Sequence, residues 1–428
     1  MPVAVFEDRV AEDFLPLTYT KAVFDLRVGR YTLLERVEIL FEKVKYAFVR
    51  QHLEEFYALD RGLESPEDPD EELLLVNPRY VLDEKAMAKL SELNRSGEWF
   101  VLVHGNNVVG AKLPGALACE AARAGFNSAL VLKGFNGRVS SLRLEEARPL
   151  SRPWELIEAN VETLARDLAG SEGIEGDVDE TVKVIGKGGL RVEEGAVVEP
   201  YVVFDTNGGG ILVERGVVVK AFAYIEAPAY IGRNTVVIPG ARIRSGCSIG
   251  PVCRVGGEVE ESIIHGYSNK YHDGFLGHAY VGEWVNLGAL TTNSDLKNTY
   301  GTVRVGPKNI DTGRQKVGAF IADMAKTSVG TLLYTGKSVG VASHLHGLVA
   351  EDVPSFTIYA RSLGVEPVEL ELESAFKTLE RMMARRGVSP TNAMKRLLER
   401  VFRITERERL QAGVKKGRFS LQLLGTAP

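Results

Sequence analysis

Residues 213–255 read VERGVVVKAFAYIEAPAYIGRNTVVIPGARIRSGCSIGPVCRV. Every sixth position is aliphatic: Val213, Val219, Ile225, Ile231, Val237, Ile243, Ile249 and Val255. Helices repeat near 3.6 residues and strands near 2, so neither period explains the run. A six-residue repeat with a small residue after the aliphatic one, as in Ile231-Gly232 and Ile249-Gly250, predicts a parallel β-helix. Each sextet forms one short face of a triangular coil, and three faces complete a turn. The aliphatic side chain points inward, so Val213, Ile231 and Ile249 stack on one wall, with coils roughly 4.8 Å apart. The register is present earlier, at Val192, Val198 and Phe204. It lapses at Asn207-Gly208-Gly209-Gly210, read as a loop thrown out of a coil. It returns at Val281 and Leu287, then at Ile321, Thr327, Leu333, Val339 and Leu345.

Hexapeptide repeats of this type resemble the left-handed β-helix of the acyltransferase superfamily. The handedness is implied by that resemblance, because ordinary crossovers are right-handed. The chain has 428 residues, which calls for two or three domains. They are expected at 1–175 (α/β), 180–360 (β-helix) and 361–428 (helical cap). Hydrophobic residues at 45% and charged residues at 25% are the values of a soluble globular protein. A net charge of -5 argues against nucleic acid as a partner. Cys119, Cys247 and Cys253 lack the paired spacing of a zinc site or disulfide framework, and the last two are read as buried thiols in the coils. The N-terminus has no basic, apolar leader pattern and no stretch reaches a membrane span, so a cytoplasmic location is expected.

Before the coils, apolar runs at 2–6, 73–76, 100–103 and 129–132 read as strands, and residues 32–53, 83–93 and 115–124 as helices. This alternation predicts an α/β domain around a mainly parallel sheet. Residues 64–72 form an acidic, proline-broken loop, and a helix is expected over 154–169.

The first strand is followed by Phe14-Leu15-Pro16-Leu17-Thr18-Tyr19-Thr20-Lys21-Ala22-Val23-Phe24-Asp25-Leu26-Arg27-Val28-Gly29. This segment resembles the opening of sugar-1-phosphate nucleotidyltransferases. It is most similar to a branch with Thr-Tyr-Thr-Arg/Lys…Asp-Leu-Arg-Val-Gly here, in which Glu7-Asp8-Arg9 stands where glycines are expected. The resemblance implies a mainly parallel α/β fold acting on a sugar 1-phosphate and a nucleoside triphosphate. Arg9, Lys21, Asp25 and Arg27 are then substrate-binding, and Asp8 is the candidate ligand for Mg²⁺. The departure has a physical meaning. Glycine turns let backbone N–H groups approach phosphate, whereas Glu7 and Asp8 repel a triphosphate unless Mg²⁺ lies between. The family's metal-binding carboxylate is missing from its expected place, which Val76-Asn77-Pro78-Arg79 occupies. Two readings stay open: a nucleotidyltransferase with a rearranged phosphate site, or a degenerate domain that binds a sugar nucleotide.

The sextets lapse twice more, at 262–282 and 286–298, and these lapses carry His265, Lys270, His272, His278, Asn293, Asp295 and Lys297. Loops that interrupt a repeat are where function concentrates. Gly277-His278, Tyr280-Val281-Gly282, Val285-Asn286-Leu287-Gly288-Ala289 and Asn293-Ser294-Asp295…Lys297 resemble the acetyltransferase half of the bifunctional glucosamine-1-phosphate acetyltransferase/N-acetylglucosamine-1-phosphate uridylyltransferase. That family joins the same two domains in the same order, and implies acetyl-CoA as acyl donor and a homotrimer. Acyl transfer to an amine needs a base and oxyanion donors. Asn293 and Asp295 match the family's Asn-x-Asp loop, while the expected place of its histidine base falls near Ser248. His278 or His272 is the substitute base, with Lys297 catalytic and Lys270 substrate-binding. His278 and Asp295 lie about one coil apart, which predicts one cleft for both loops. The rival function is a non-catalytic sugar-nucleotide-binding assembly protein with degenerate sites.

The tail is expected to form a closing strand at 356–359 and two helices. The second carries Arg396, Arg400, Arg403 and Arg407 on a solvated face, and the pair caps the open coil.

Overall fold

The computed structural model describes residues 1–66, 70–135 and 137–420. The middle of the acidic loop, 67–69, lies outside the described residues. The chain divides into two compact units. One holds Met1–Arg27, Tyr31–Glu155 and Thr391–Arg400; the other holds Val28–Arg30, Leu156–Pro390 and the chain from Val401 onward.

In the first unit Val3–Phe6 is buried along its whole length, the mark of a strand covered on both faces. It pairs in parallel with Val44–Phe48 on one side and Glu72–Val76 on the other. The six-stranded sheet continues through two antiparallel pairings, of Asn107–Pro114 with Glu72–Val76 and with Phe100–His104. Ser140–Arg143, parallel to Phe100–His104, closes it. Parallel pairings therefore outnumber antiparallel ones, three to two.

Two expected elements differ. The helix expected over 32–53 is a helix only at Leu33–Phe41, opened by a Thr32–Glu35 capping box. Glu42 then takes a φ of 72°, and Val44–Phe48 leaves to pair with the first strand. Tertiary pairing here overrides a local helical pattern. The run 129–132 is not a strand but part of the helix Ser128–Phe135, with Val131 and Phe135 buried on one face. A four-residue apolar run has no period of its own to decide the matter.

In the second unit the sextets form the expected walls. Val192, Val213, Ile231, Ile249, Ile264, Val281, Ile321 and Val339 follow one another in parallel register up a nine-stranded wall. A second wall stacks Val198, Val219, Val237, Val255 and Lys270. A third stacks Phe204, Ile225, Ile243, Val259 and Leu276. These side chains, Lys270 apart, form one continuous core. Cys247 and Cys253 are buried within it, and neither is in a disulfide. From the helix Pro153–Asp167, Leu164 packs with the following Leu168 onto Leu212 and Tyr230 of the coils. At the far end Thr357–Ala360 adds one more parallel strand, and Val365–Glu369 lies antiparallel across it. Helices Leu372–Ala384 and Asn392–Ile404 follow. Arg396 and Arg400 of the basic face both pair with Glu55, at 2.7 Å each. Among the described residues no helix is long and apolar enough to cross a membrane.

Candidate functional site

At the end of the first strand, Glu7 and Asp8 are buried, and each is matched to an arginine. The Glu7 carboxylate accepts from the Arg50 Nε and Nη2 at 3.0 Å each and from the Val23 and Arg50 backbone N–H groups. Arg50 Nη2 also donates to the carbonyls of Thr18 and Lys21, at 2.7 and 3.2 Å. One guanidinium thus ties the segment that follows the first strand to the strand's end. Asp8 accepts at one oxygen from Val10 N and Arg79 Nε, at 3.1 and 3.0 Å, and at the other from Asn77 Nδ2 at 2.9 Å and from Arg79 Nη2. A carboxylate offers about four acceptor positions, so Asp8 is saturated. Arg79 is 1% exposed and spends a further donor on Leu150 O at 2.7 Å. Mg²⁺ on Asp8 does not fit this geometry: a ligand oxygen would have to leave a buried guanidinium uncompensated. Among the described residues no group of three or more His, Cys, Asp or Glu is placed to hold a metal ion.

Lys21 and Arg27 are 2% and 6% exposed, while Arg9 is exposed. Asp25 accepts from the Tyr57 hydroxyl at 2.5 Å and lies 3.6 Å from Arg61 Nη2. Burial, then the Asp25 charge, pushes the Tyr57 hydroxyl pKa well up, so Tyr57 stays a donor.

The two lapses in the β-helix meet across one coil. Gly277 N donates to Asn293 Oδ1 and Asn293 Nδ2 donates to Gly277 O, both at 2.9 Å. The Asn293 amide is therefore spent on backbone, and its side chain is buried. His278 sits at a coil corner with a φ of 49°. Its Nδ1 is 2.8 Å from Asp295 Oδ2 and its Nε2 is 3.2 Å from Glu261 Oε2. Burial works to lower its pKa, but the two carboxylates outweigh that and raise it to about 9. The hydrogen bond from His278 in turn lowers Glu261, and it overcomes the upward push of burial on Asp295. At neutral pH His278 is an imidazolium clasped between two carboxylates.

Lys270 occupies an inward position where the repeat calls for an aliphatic side chain, and it is 2% exposed. Its Nζ donates to Gly256 O at 3.2 Å and His272 O at 2.6 Å. Burial lowers its pKa to about 8, against a small upward pull from Asp273. His272 is exposed, its ring edge-on to Tyr271. Lys297 Nζ donates to Thr302 O at 2.5 Å. Ser248 is fully buried and donates to Gly29 O at 2.5 Å. The fold thus joins His278, Asp295 and Asn293 at one junction, and holds Lys270 to the backbone of His272.

Residues 3–173 match the family model described as sugar nucleotidyl transferase. Among curated relatives, the bifunctional protein GlmU of Jannaschia sp. (strain CCS1) is 31% identical over 217 residues, covering 49% of this chain and 41% of its own. GlmU of Nitratidesulfovibrio vulgaris (strain DP4) is 27% identical over 306 residues, covering 70% of this chain and 62% of its own. The chain spans about half the length of the curated relatives it matches. Among solved structures, an Arabidopsis UDP-N-acetylglucosamine acyltransferase overlaps 56% of this chain and 98% of its own at 12% identity and a TM-score of 0.24. The β-helix assignment rests instead on the strand register above.

Arg50, Arg79 and Glu261 were not singled out from the sequence. The arginines lie 43 and 71 positions from their carboxylates, and no local pattern links them. Glu261 had a usable signal: it lies 17 residues before His278, about one coil.

Proposed function

We propose that this chain is a transferase of sugar-nucleotide metabolism, with acyl transfer from a thioester donor such as acetyl-CoA to an amino-sugar phosphate at the rim of the β-helix. The observation that carries this reading is the junction of the two lapses, where polar side chains replace the repeat's small and aliphatic ones. Such replacements lower stability unless a site requires them. The base falls to His272. Its ring is exposed and its backbone is held by Lys270, whereas His278 has both nitrogens on carboxylates. His278 and Asp295 then fix the second loop, with Asn293 and Lys297 on it.

The N-terminal domain is read as a binder of a sugar 1-phosphate or sugar nucleotide, with Arg9, Lys21 and Arg27 as its cations. The saturated Asp8 disfavours nucleotidyl transfer with Mg²⁺ at that residue. Assembly as a homotrimer agrees with the exposed, stacked Tyr201 and Phe222 on successive coils (centroids 5.3 Å apart), apolar surface that self-association would cover. Light scattering should give three times the monomer mass, and a monomer at micromolar concentration would remove the trimer from the reading.

The test of the chemistry is acetyl-CoA turnover with amino-sugar phosphates. His272→Ala should lose on the order of 10²–10⁴-fold in rate. A parent with neither turnover nor acyl-CoA binding would leave the non-catalytic sugar-nucleotide-binding protein as the better account.

A further inference from the structure

The second wall of the β-helix carries an outward row of polar side chains, bordering the first lapse and lying across the coil from the His278 corner. Val255 and Lys270 point inward there, so their strand neighbours Arg254 and Asn269, register partners on adjacent coils, face outward. Asn286 and Lys326 continue the row. The helix Leu372–Ala384 lies against its far end, where Lys326 Nζ donates to Met324 O at 2.9 Å and to Met382 Sδ at 3.3 Å. Arg385 and Arg386 follow that helix, and Arg386 Nη2 donates to Asn269 Oδ1 at 2.7 Å. Asn269 Nδ2 donates in turn to Asn286 Oδ1 at 3.1 Å, which sets the direction of the amide. Arg386 is thereby held beside Arg254. Its Nε is buried with no acceptor among the described residues. Burial, then the charges of Arg254 and Arg385, lower its pKa. No carboxylate among the described residues pairs with any of the three. The third wall shows the ordinary alternative: Arg242 and Arg244 there both reach Glu258, at 3.0 and 3.4 Å. The end of the helix offers about half a unit of negative charge, too little for three guanidiniums.

We propose that Arg254, Arg385 and Arg386 form a binding site for a phosphate dianion, either the free ion or the end of a phosphate monoester. A dianion answers the uncompensated charge better than a single carboxylate does, and guanidinium forks match phosphate oxygens in pairs. Arg386 is already positioned by Asn269, so it has little freedom left to lose on binding. Its partly desolvated guanidinium gains more from an anion than a fully hydrated one would. The bound phosphate would also join the end of the helix to the coil at Arg254. Nothing at this site depends on His272 or on acyl transfer.

The experiment labels arginines of the full chain with phenylglyoxal in phosphate-free buffer, with peptide mass analysis to follow each arginine by itself. Saturating inorganic phosphate should slow the labelling of Arg254 and Arg386 by roughly tenfold or more, and chloride at equal ionic strength should not. Arg254→Gln should weaken the phosphate protection of Arg386 by a similar factor. Because Arg254 has only like charges beside it, the same variant should melt no lower than the parent without phosphate, whereas loss of a structural contact would lower Tm. Glucose 1-phosphate separates the two sources. Protection at lower concentration than inorganic phosphate assigns the site to a monoester; protection only at equal or higher concentration assigns it to the free ion. Labelling of Arg254 and Arg386 unchanged by either compound would overturn the proposal. Full protection of Arg386 at the parent's phosphate concentration in a folded Arg254→Gln chain would overturn it equally.

Discussion

Glu7-Asp8 and Glu261–His278–Asp295 are both acidic clusters neutralised by bases, the first buried and the second partly exposed, and they differ in the base. At the end of the first strand the partners are Arg50 and Arg79. A guanidinium keeps its proton at any working pH, so those pairs form a fixed scaffold. At the coil corner the partner is a histidine, with Lys270 nearby in the chain, and both titrate within reach of neutrality. The two domains are therefore unequally equipped for proton transfer. The β-helix holds the groups that can change state, and the N-terminal domain has fixed its own.

The contrast can be broken most severely at Asp8. Asp8→Ala leaves Arg79 buried without its carboxylate and should cost about 3–5 kcal/mol in urea unfolding; a loss below about 1 kcal/mol would mean the scaffold is open. Next is pH. His278 has a folded pKa raised to about 9 from 6.5, so its contribution is fully present below pH 6.5 and is lost as pH rises through 9. The linked stability is at most about 3 kcal/mol. Lys270 and Lys326 act in the opposite direction, since their depressed pKa values relieve a penalty as pH climbs from about 8 toward 10.5. Melting curves of His278→Gln should lack the decline between pH 6.5 and 9 that the parent shows. For the N-terminal domain, calorimetry with sugar nucleotides on Lys21→Ala and Arg27→Ala should show binding weaker by about 1.5–3 kcal/mol; unchanged affinity in both would return those residues to the scaffold. The smallest effect belongs to the half-exposed Arg396–Glu55 pair, where Arg396→Ala should cost about 0.2–1 kcal/mol.

The repeat made the β-helix legible because each inward residue repeats its neighbour's environment. Val213, Ile231 and Ile249 stand in register as the spacing requires. The candidate site was legible only in part. The His278–Asp295 contact follows from one coil of separation, but Lys270 breaks the pattern from inside. A lysine reads as an outward residue, and only the carbonyls of Gly256 and His272 explain its inward place. In the N-terminal domain the pairs that decide the site span 43 and 71 residues. The strand at 44–48 was lost to a helical pattern for a similar reason, since its partner is the first strand.

A six-residue repeat contains no instruction about how many coils to build, and its last strand offers an open template to any other chain. Here Val365–Glu369 runs against the direction of every coil before it. A reversed strand presents the wrong polarity for another parallel coil, so it acts as a terminator of one-dimensional growth. The length of this solenoid is therefore a property of its ending. A chain cut after Ala360 would keep the repeat and lose the stop, and its expected fate is end-to-end filaments.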